Sequence, residues 1–119
     1  MSSRILNSRT YIKSSHPYAY ATFTNFEHGK GLLQIHSDWG IFHSYWGATG
    51  TRHLEEFVLD CNNSYLASSF NYWMNFMQGK KSAFVLTDKM LLHCWPELKE
   101  IIKEEFEKIK SSKQELTLR

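Results

Sequence analysis

Three small groups of residues in this chain have the types and spacing to do chemistry. His36, Asp38 and His43 place two imidazoles and a carboxylate in one short stretch, a donor set that suits zinc or a non-haem metal. Residues 36 and 38 share a strand face because side chains alternate with period two, and a tight turn at Asp38–Gly40 would let His43 approach them. No second motif supplies a further ligand, and C-x-x-C and H-E-x-x-H are absent, so no metal or other cofactor is assigned. His93 and Cys94 invite a thiol-catalysis reading, but neighbours on a helix point about 100° apart and cannot pair as base and nucleophile. His28-Gly29-Lys30-Gly31 lacks the spacing that cradles phosphates; its glycines read as turn residues able to take positive φ. Cys61 completes an apolar helical stripe and reads as a small buried hydrophobe. No catalytic residue is assigned, and the chain reads as a non-enzyme.

Aromatic side chains are the more telling feature. Phe, Tyr and Trp number eighteen in 119 residues, a load that one small core does not hide with ease. Trp39, Phe42, Tyr45 and Trp46 crowd into one hairpin, and strict alternation cannot bury all four on one sheet face. An exposed aromatic beside a polar rim is the usual form of a binding anchor, so Trp39, Phe42, His43 and Tyr45 are the expected partner-binding residues. The same aromatics could stack bases with help from Lys30, Arg52, Lys80 and Lys81.

These residues must be positioned by the elements around them. Tyr18–Phe26 is rich in β-favouring residues, with a weaker strand near 5–13 before it and short strands at 32–37 and 41–46 after it. Thr51 is a good N-cap for a helix whose stripe is Leu54, Phe57, Val58 and Cys61. Asn62-Asn63-Ser64 offers caps for a second helix, with Leu66, Phe70, Trp73 and Met77 on one face and Gly79 as its stop. A third helical piece runs from Thr87 towards Trp95. Pro96 suits the first turn of a last helix lined by Leu98, Ile101, Ile102, Phe106 and Ile109. The expected fold is a single α+β domain over 1–119. A small antiparallel sheet of three or four strands occupies about 3–47, packed against three or four helices over about 51–111, with a frayed tail at 112–119.

Bulk properties narrow the function classes. Net charge is only +2, less basic than a nucleic-acid binder usually is. Basic residues outnumber acidic four to one over 1–30, the balance reverses over 31–78, and nine basic against seven acidic residues interleave over 79–119. Two cysteines make no disulfide framework, the opening residues lack a secretory h-region, and no apolar run reaches membrane-span length. The expectation is a protein of the bacterial cytoplasm with free thiols and no membrane partner.

One segment carries a family likeness. Residues 27–70 contain H-G-x-G, then Y-W-G-A-x-G, L-E-E-F and C-N-x-x-Y-L-A. This pattern resembles a family of small phage and prophage accessory proteins, with Thr49 standing where a methionine is common. The resemblance implies no activity and no catalytic residues. It implies a mobile-element setting, in which small proteins often bind and block host factors, CRISPR effector complexes and other defence machines among them. The expected partner is accordingly a host bacterial protein or nucleoprotein complex, with direct nucleic-acid binding as the alternative. Trp39 and Tyr45 should then matter more to binding than to folding, and Trp46, Phe57, Leu66 and Phe70 the reverse. Melting curves check this: alanine at Trp39 should melt near wild type, and alanine at Trp46 should not, since emptying a buried aromatic site costs about 3–5 kcal/mol.

Overall fold

The computed structural model describes residues 4–51, 53–78 and 83–117, with side chains described up to Trp73 and from Val85 to Ser112. Period-two alternation builds its first half. Strands Ile5–Lys13 (β1), Ala19–Phe26 (β2), Lys30–Ser37 (β3) and Gly40–Trp46 (β4) form one sheet in the order β1-β2-β3-β4, each antiparallel to the next. Helices Leu54–Asp60 (α1), Asn63–Gln78 (α2), Ala83–His93 (α3) and Trp95–Thr117 (α4) follow. The fold is α+β, as the order of the patterns predicts. The last helix continues to Thr117, beyond the expected end near residue 111. Lys and Glu interleave along the exposed side of α4.

Among the described residues the helices pack on one face of the sheet, and Trp73 of α2 alone makes ring contact with the other, at His43 and Tyr45. α4 packs on β1, α1 on β2 and β3, and α2 on β4, while α3 packs on α2 and α4. The covered face is made of alternate residues: Tyr11, Ala21, Ile35 and Phe42 form one row across the four strands, and Arg9, Phe23, Leu33 and Ser44 the next. Leu54, Val58, Leu66, Phe70, Trp95, Leu98 and Ile102 close over them. Trp46 is buried, edge-on to Phe57 at 5.5 Å, and its indole N–H donates to Tyr65 Oη at 2.9 Å. The core placement of Trp46, Leu66 and Phe70 matches the sequence expectation, and Phe57 packs half-buried against the same cluster.

Two local features differ from expectation. Positive φ in the β2–β3 turn falls on His28 (65°) and Gly29 (70°), not on Gly31. Gly31 lies within β3 and faces α1, where an added Cβ would sit 2.8 Å from Leu54 Cδ2 and 2.9 Å from its Cβ. Its glycine serves close approach of the helix to the sheet. Thr51 is likewise not the cap of α1; that position is His53, without a side-chain capping bond. The sheet supplies the cap instead, since Leu54 N–H donates to Asn25 Oδ1 at 2.6 Å. Asn62 does cap α2, accepting the Tyr65 N–H at 2.8 Å. Gly79, the expected stop of α2, lies outside the described residues.

Behind Asn25 lies a buried polar knot that the pattern of residue types did not reveal. Glu55, in the first turn of α1, is fully buried. Arg9 grips both its oxygens, Nε to Oε2 at 2.6 Å and Nη2 to Oε1 at 3.1 Å. Tyr11 Oη donates to Oε2 at 2.8 Å, and Asn25 Nδ2 to Oε1 at 3.1 Å. A buried carboxylate is tolerated when paired and fully hydrogen-bonded. Burial alone would raise its pKa, but the bonds from Arg9 and Tyr11 and the Arg9 charge outweigh it and hold the carboxyl below its usual range. Burial and the Glu55 charge push the Tyr11 phenol up, so it stays a donor.

Glu55→Gln leaves the half-buried Arg9 without its counter-charge and should cost about 3 kcal/mol in a denaturant titration. Because the folded carboxyl titrates below the unfolded one, its stabilisation is complete above the unfolded pKa and is lost as pH falls through the folded value. The wild type should therefore weaken progressively below about pH 4, with a steeper acid slope than Glu55→Gln. Separately, Gly31→Ala should lower stability by about 1–3 kcal/mol through overpacking against Leu54.

Candidate functional site

The second face of the sheet is the candidate site. Register places Ile12, Tyr20, His36 and Ile41 side by side in a row across all four strands. The next row is Thr10, Thr22, Gln34 and His43, and the one after it Ser8, Thr24, Leu32 and Tyr45. Ile12 is 62% exposed, Ile41 57%, Tyr20 41% and Tyr45 38%. The outward face of an antiparallel sheet normally reads polar; here its first row is apolar and aromatic.

Ring contacts organise both ends of this face. Tyr20 and His36 stack with centroids 4.7 Å apart and planes at 10°. With Ile12, Tyr18 and Asp38 they line a shallow groove of about 460 Å³. At the far end Tyr45 meets Phe26 edge-on at 6.3 Å and Trp73 at 6.4 Å, and Trp73 tilts against His43 at 6.3 Å. Between the ends runs a hydroxyl ladder, Thr10 to Thr22 at 3.0 Å and Ser8 to Thr24 at 3.4 Å. Among outward-facing strand positions only Lys30, opposite Phe26 at one hairpin end, is a lysine, arginine or acid. Arg9 and Lys13 point inward: Arg9 to Glu55, and Lys13 to the carbonyls of Ser15 (2.9 Å) and Pro17 (2.6 Å).

The expected site residues divide on this geometry. His43 and Tyr45 lie on the open face. Phe42 does not: its side chain is fully buried and meets Phe70 at 6.2 Å. Alternation sends Phe42 inward together with Ser44 and Trp46, so it cannot be a partner anchor. Trp39 is also not a free anchor. At the β3–β4 turn it packs against the core, its ring over His93 at 5.6 Å and under Lys89 Nζ at 5.4 Å. The turn directs Trp39 towards α3, with its N–H bonded to Ser37 Oγ at 3.1 Å and φ of 126° at Gly40. Lys30 borders the open face, while Arg52, Lys80 and Lys81 lie outside the described residues.

His36, Asp38 and His43 are not brought together. His36 is committed to Tyr20, Asp38 lies 3.9 Å from His16 Nδ1, and His43 turns to Trp73. No group of three His, Cys, Asp or Glu side chains among the described residues is arranged to hold a metal ion. Burial pushes the Cys61 and Cys94 thiols above their ordinary range, away from the thiolate a nucleophile requires. Tyr20 and Ile12 went unremarked as site residues in the sequence. The signal is the register that sets Tyr20 between Ile12 and His36, which only strand pairing makes visible.

A four-stranded antiparallel meander backed on one face by helices, with an apolar and aromatic row on the other, defines a small α+β domain. The chain belongs to a phage protein family, Phage_phiTE_072, described as a phage family, whose family model matches residues 6–117. That span extends well beyond residues 27–70. No curated protein and no solved structure is significantly similar to the chain.

The revised placements make a sharp contrast. Trp39→Ala should lower the melting temperature, because it strips the hairpin tip from His93 and Lys89. Ile41→Ala should leave the melting curve close to wild type, as surface substitutions usually stay within about 0.5 kcal/mol. Equal melting of both variants would contradict the assigned faces.

Proposed function

We propose that this phage protein is a stoichiometric binding protein that occludes or modulates a host bacterial protein through the open face of its sheet, without a catalytic step of its own. The observation that carries the reading is the row Ile12, Tyr20, His36 and Ile41, apolar and aromatic on a face that alternation would make polar. Contiguous exposed apolar surface rimmed by polar groups marks interaction sites, and aromatic anchors dominate their energetics. The partner class the phage setting favours is a host defence machine such as a CRISPR effector complex, an inference from setting alone.

A second reading, single-stranded nucleic acid, draws on the stacked Tyr20–His36 pair on the open face of an antiparallel sheet. Charge weighs against it. Affinity for a phosphate backbone comes from several released counterions, and the outward strand positions offer Lys30 while Asp38 adds an acid at the rim.

Affinity capture from bacterial lysate, followed by reconstitution with the purified partner, tests both readings. Wild type should hold one host protein near equimolar ratio, and Ile41→Glu combined with Tyr45→Ala should weaken that complex at least tenfold while the fold stays intact. A complex indifferent to those changes, or no stoichiometric partner at any salt concentration, would overturn the proposal. Micromolar binding of labelled oligonucleotides that collapses with added salt would transfer the face to the second reading.

A further inference from the structure

The two edges of the sheet are treated differently. α2 screens β4, with Ser44 Oγ hydrogen-bonded to Ser69 Oγ. β1 pairs with β2 on one side, and no described strand pairs with its other side. Proteins usually blunt such an edge with proline, with outward charge, with a bulge or with inward-pointing charge. β1 contains no proline, and its outward residues Leu6, Ser8, Thr10 and Ile12 carry no charge. Its bulge lies at the start, between Ile5 and Asn7, and leaves Asn7–Lys13 in regular register. The inward charges Arg9 and Lys13 are already engaged by Glu55 and by the Ser15 and Pro17 carbonyls. None of the ordinary deterrents acts along the middle of this strand.

The strand is also complementary to itself. Laid antiparallel on a second β1 about a two-fold axis at Arg9, Ser8 of one copy falls opposite Thr10 of the other. The existing ladders Thr10–Thr22 and Ser8–Thr24 would then join into two runs of four hydroxyls across the axis. Hydroxyl pairs directly opposite one another are favourable cross-strand contacts. On the inner side each Arg9 carries its own bidentate Glu55, so the axis does not oppose two bare charges. α4, which backs β1, exposes Glu97, Glu100, Glu104, Glu105 and Glu107 beside Lys103 and Lys108, with Lys99 and Lys110 half-buried, so two neighbouring α4 helices would meet in mixed charge with an acidic excess that salt screens.

We propose that the free edge of β1 binds β1 of a second copy of this chain, forming an isologous dimer with one continuous eight-stranded sheet. A C2 interface uses the same patch on both partners, and this strand has the required symmetry. The dimer would join the two open faces into a single surface. The inference goes beyond the proposed binding function and rests on the edge, so either can fail without the other.

Light scattering after size exclusion, at micromolar to sub-millimolar protein, tests it. Wild type should give twice the 14.0 kDa of one chain. Ser8→Lys with Thr10→Lys, both exposed, sets like charges directly opposite across the axis; it should give the single-chain mass with an unchanged circular dichroism spectrum. Register is read by oxidising a mixture of Ser8→Cys and Thr10→Cys proteins, which should cross-link to each other faster than either does to itself. Wild type at single-chain mass would overturn the proposal and leave the edge to a strand from another protein. A dimer that survives the lysine pair, or cysteines that prefer their own kind, would overturn it as well.

Discussion

The carboxylate of Glu55 is the point on which both halves of this protein are joined. A sheet with one apolar face and a helix with one apolar stripe can pack in several registers, because hydrophobic contact is not directional. Four directed hydrogen bonds from Arg9, Tyr11 and Asn25 allow one. With Asn25 Oδ1 also taking the Leu54 N–H, the entry point of α1 is set relative to β1 and β2, and Gly31 then lets Leu54 settle onto β3. Everything after α1 is placed by that docking. α2 continues down the β4 side, and α4 returns over β1, where Phe106 lies 5.5 Å from the Arg9 guanidinium.

Using the inward side of β1 and β2 for this knot has a consequence for the outward side. Arg9 and Lys13 both point inward, Arg9 to the buried Glu55 carboxylate and Lys13 to the carbonyls of Ser15 and Pro17. What remains outside is hydroxyls, a glutamine, histidines, aromatics and aliphatics, with Lys30 at one hairpin end. The near-neutral character of the open face is therefore a by-product of how the core is locked, and it is what tilts the functional reading towards a protein partner.

Much of the fold was legible because it rests on periodicity. Strand and helix alternations, the Asn62 cap and Pro96 in the first turn of α4 are local signals, and local signals survive in the chain order of residue types. The elements that were misread depend on contacts distant in sequence. In the sequence Glu55 is only part of the L-E-E-F motif, and its burial depends on Arg9, 46 positions earlier. Gly31 looked like a turn glycine, and its role is set by Leu54. The site was half legible for the same reason. Alternation told that the hairpin aromatics must split between faces, but Phe42 and Tyr45 could be told apart only by knowing which face the helices take. Trp39 escaped the alternation altogether, because a turn residue follows no strand period.

The sequential order of the strands has a further implication for biosynthesis. Each strand pairs with its neighbour in the chain, so the meander can assemble from local hairpins as residues 5–46 leave the ribosome. At that moment the inner face, with Phe23, Leu33, Ile35 and Phe42, has nothing over it, and the Arg9 charge has no partner. Glu55 arrives just after the last strand, in the first helix to be made. The residue that neutralises the nascent sheet is thus translated at the earliest point at which the sheet is complete, which shortens the interval during which an unpaired cation and a bare apolar face are exposed together.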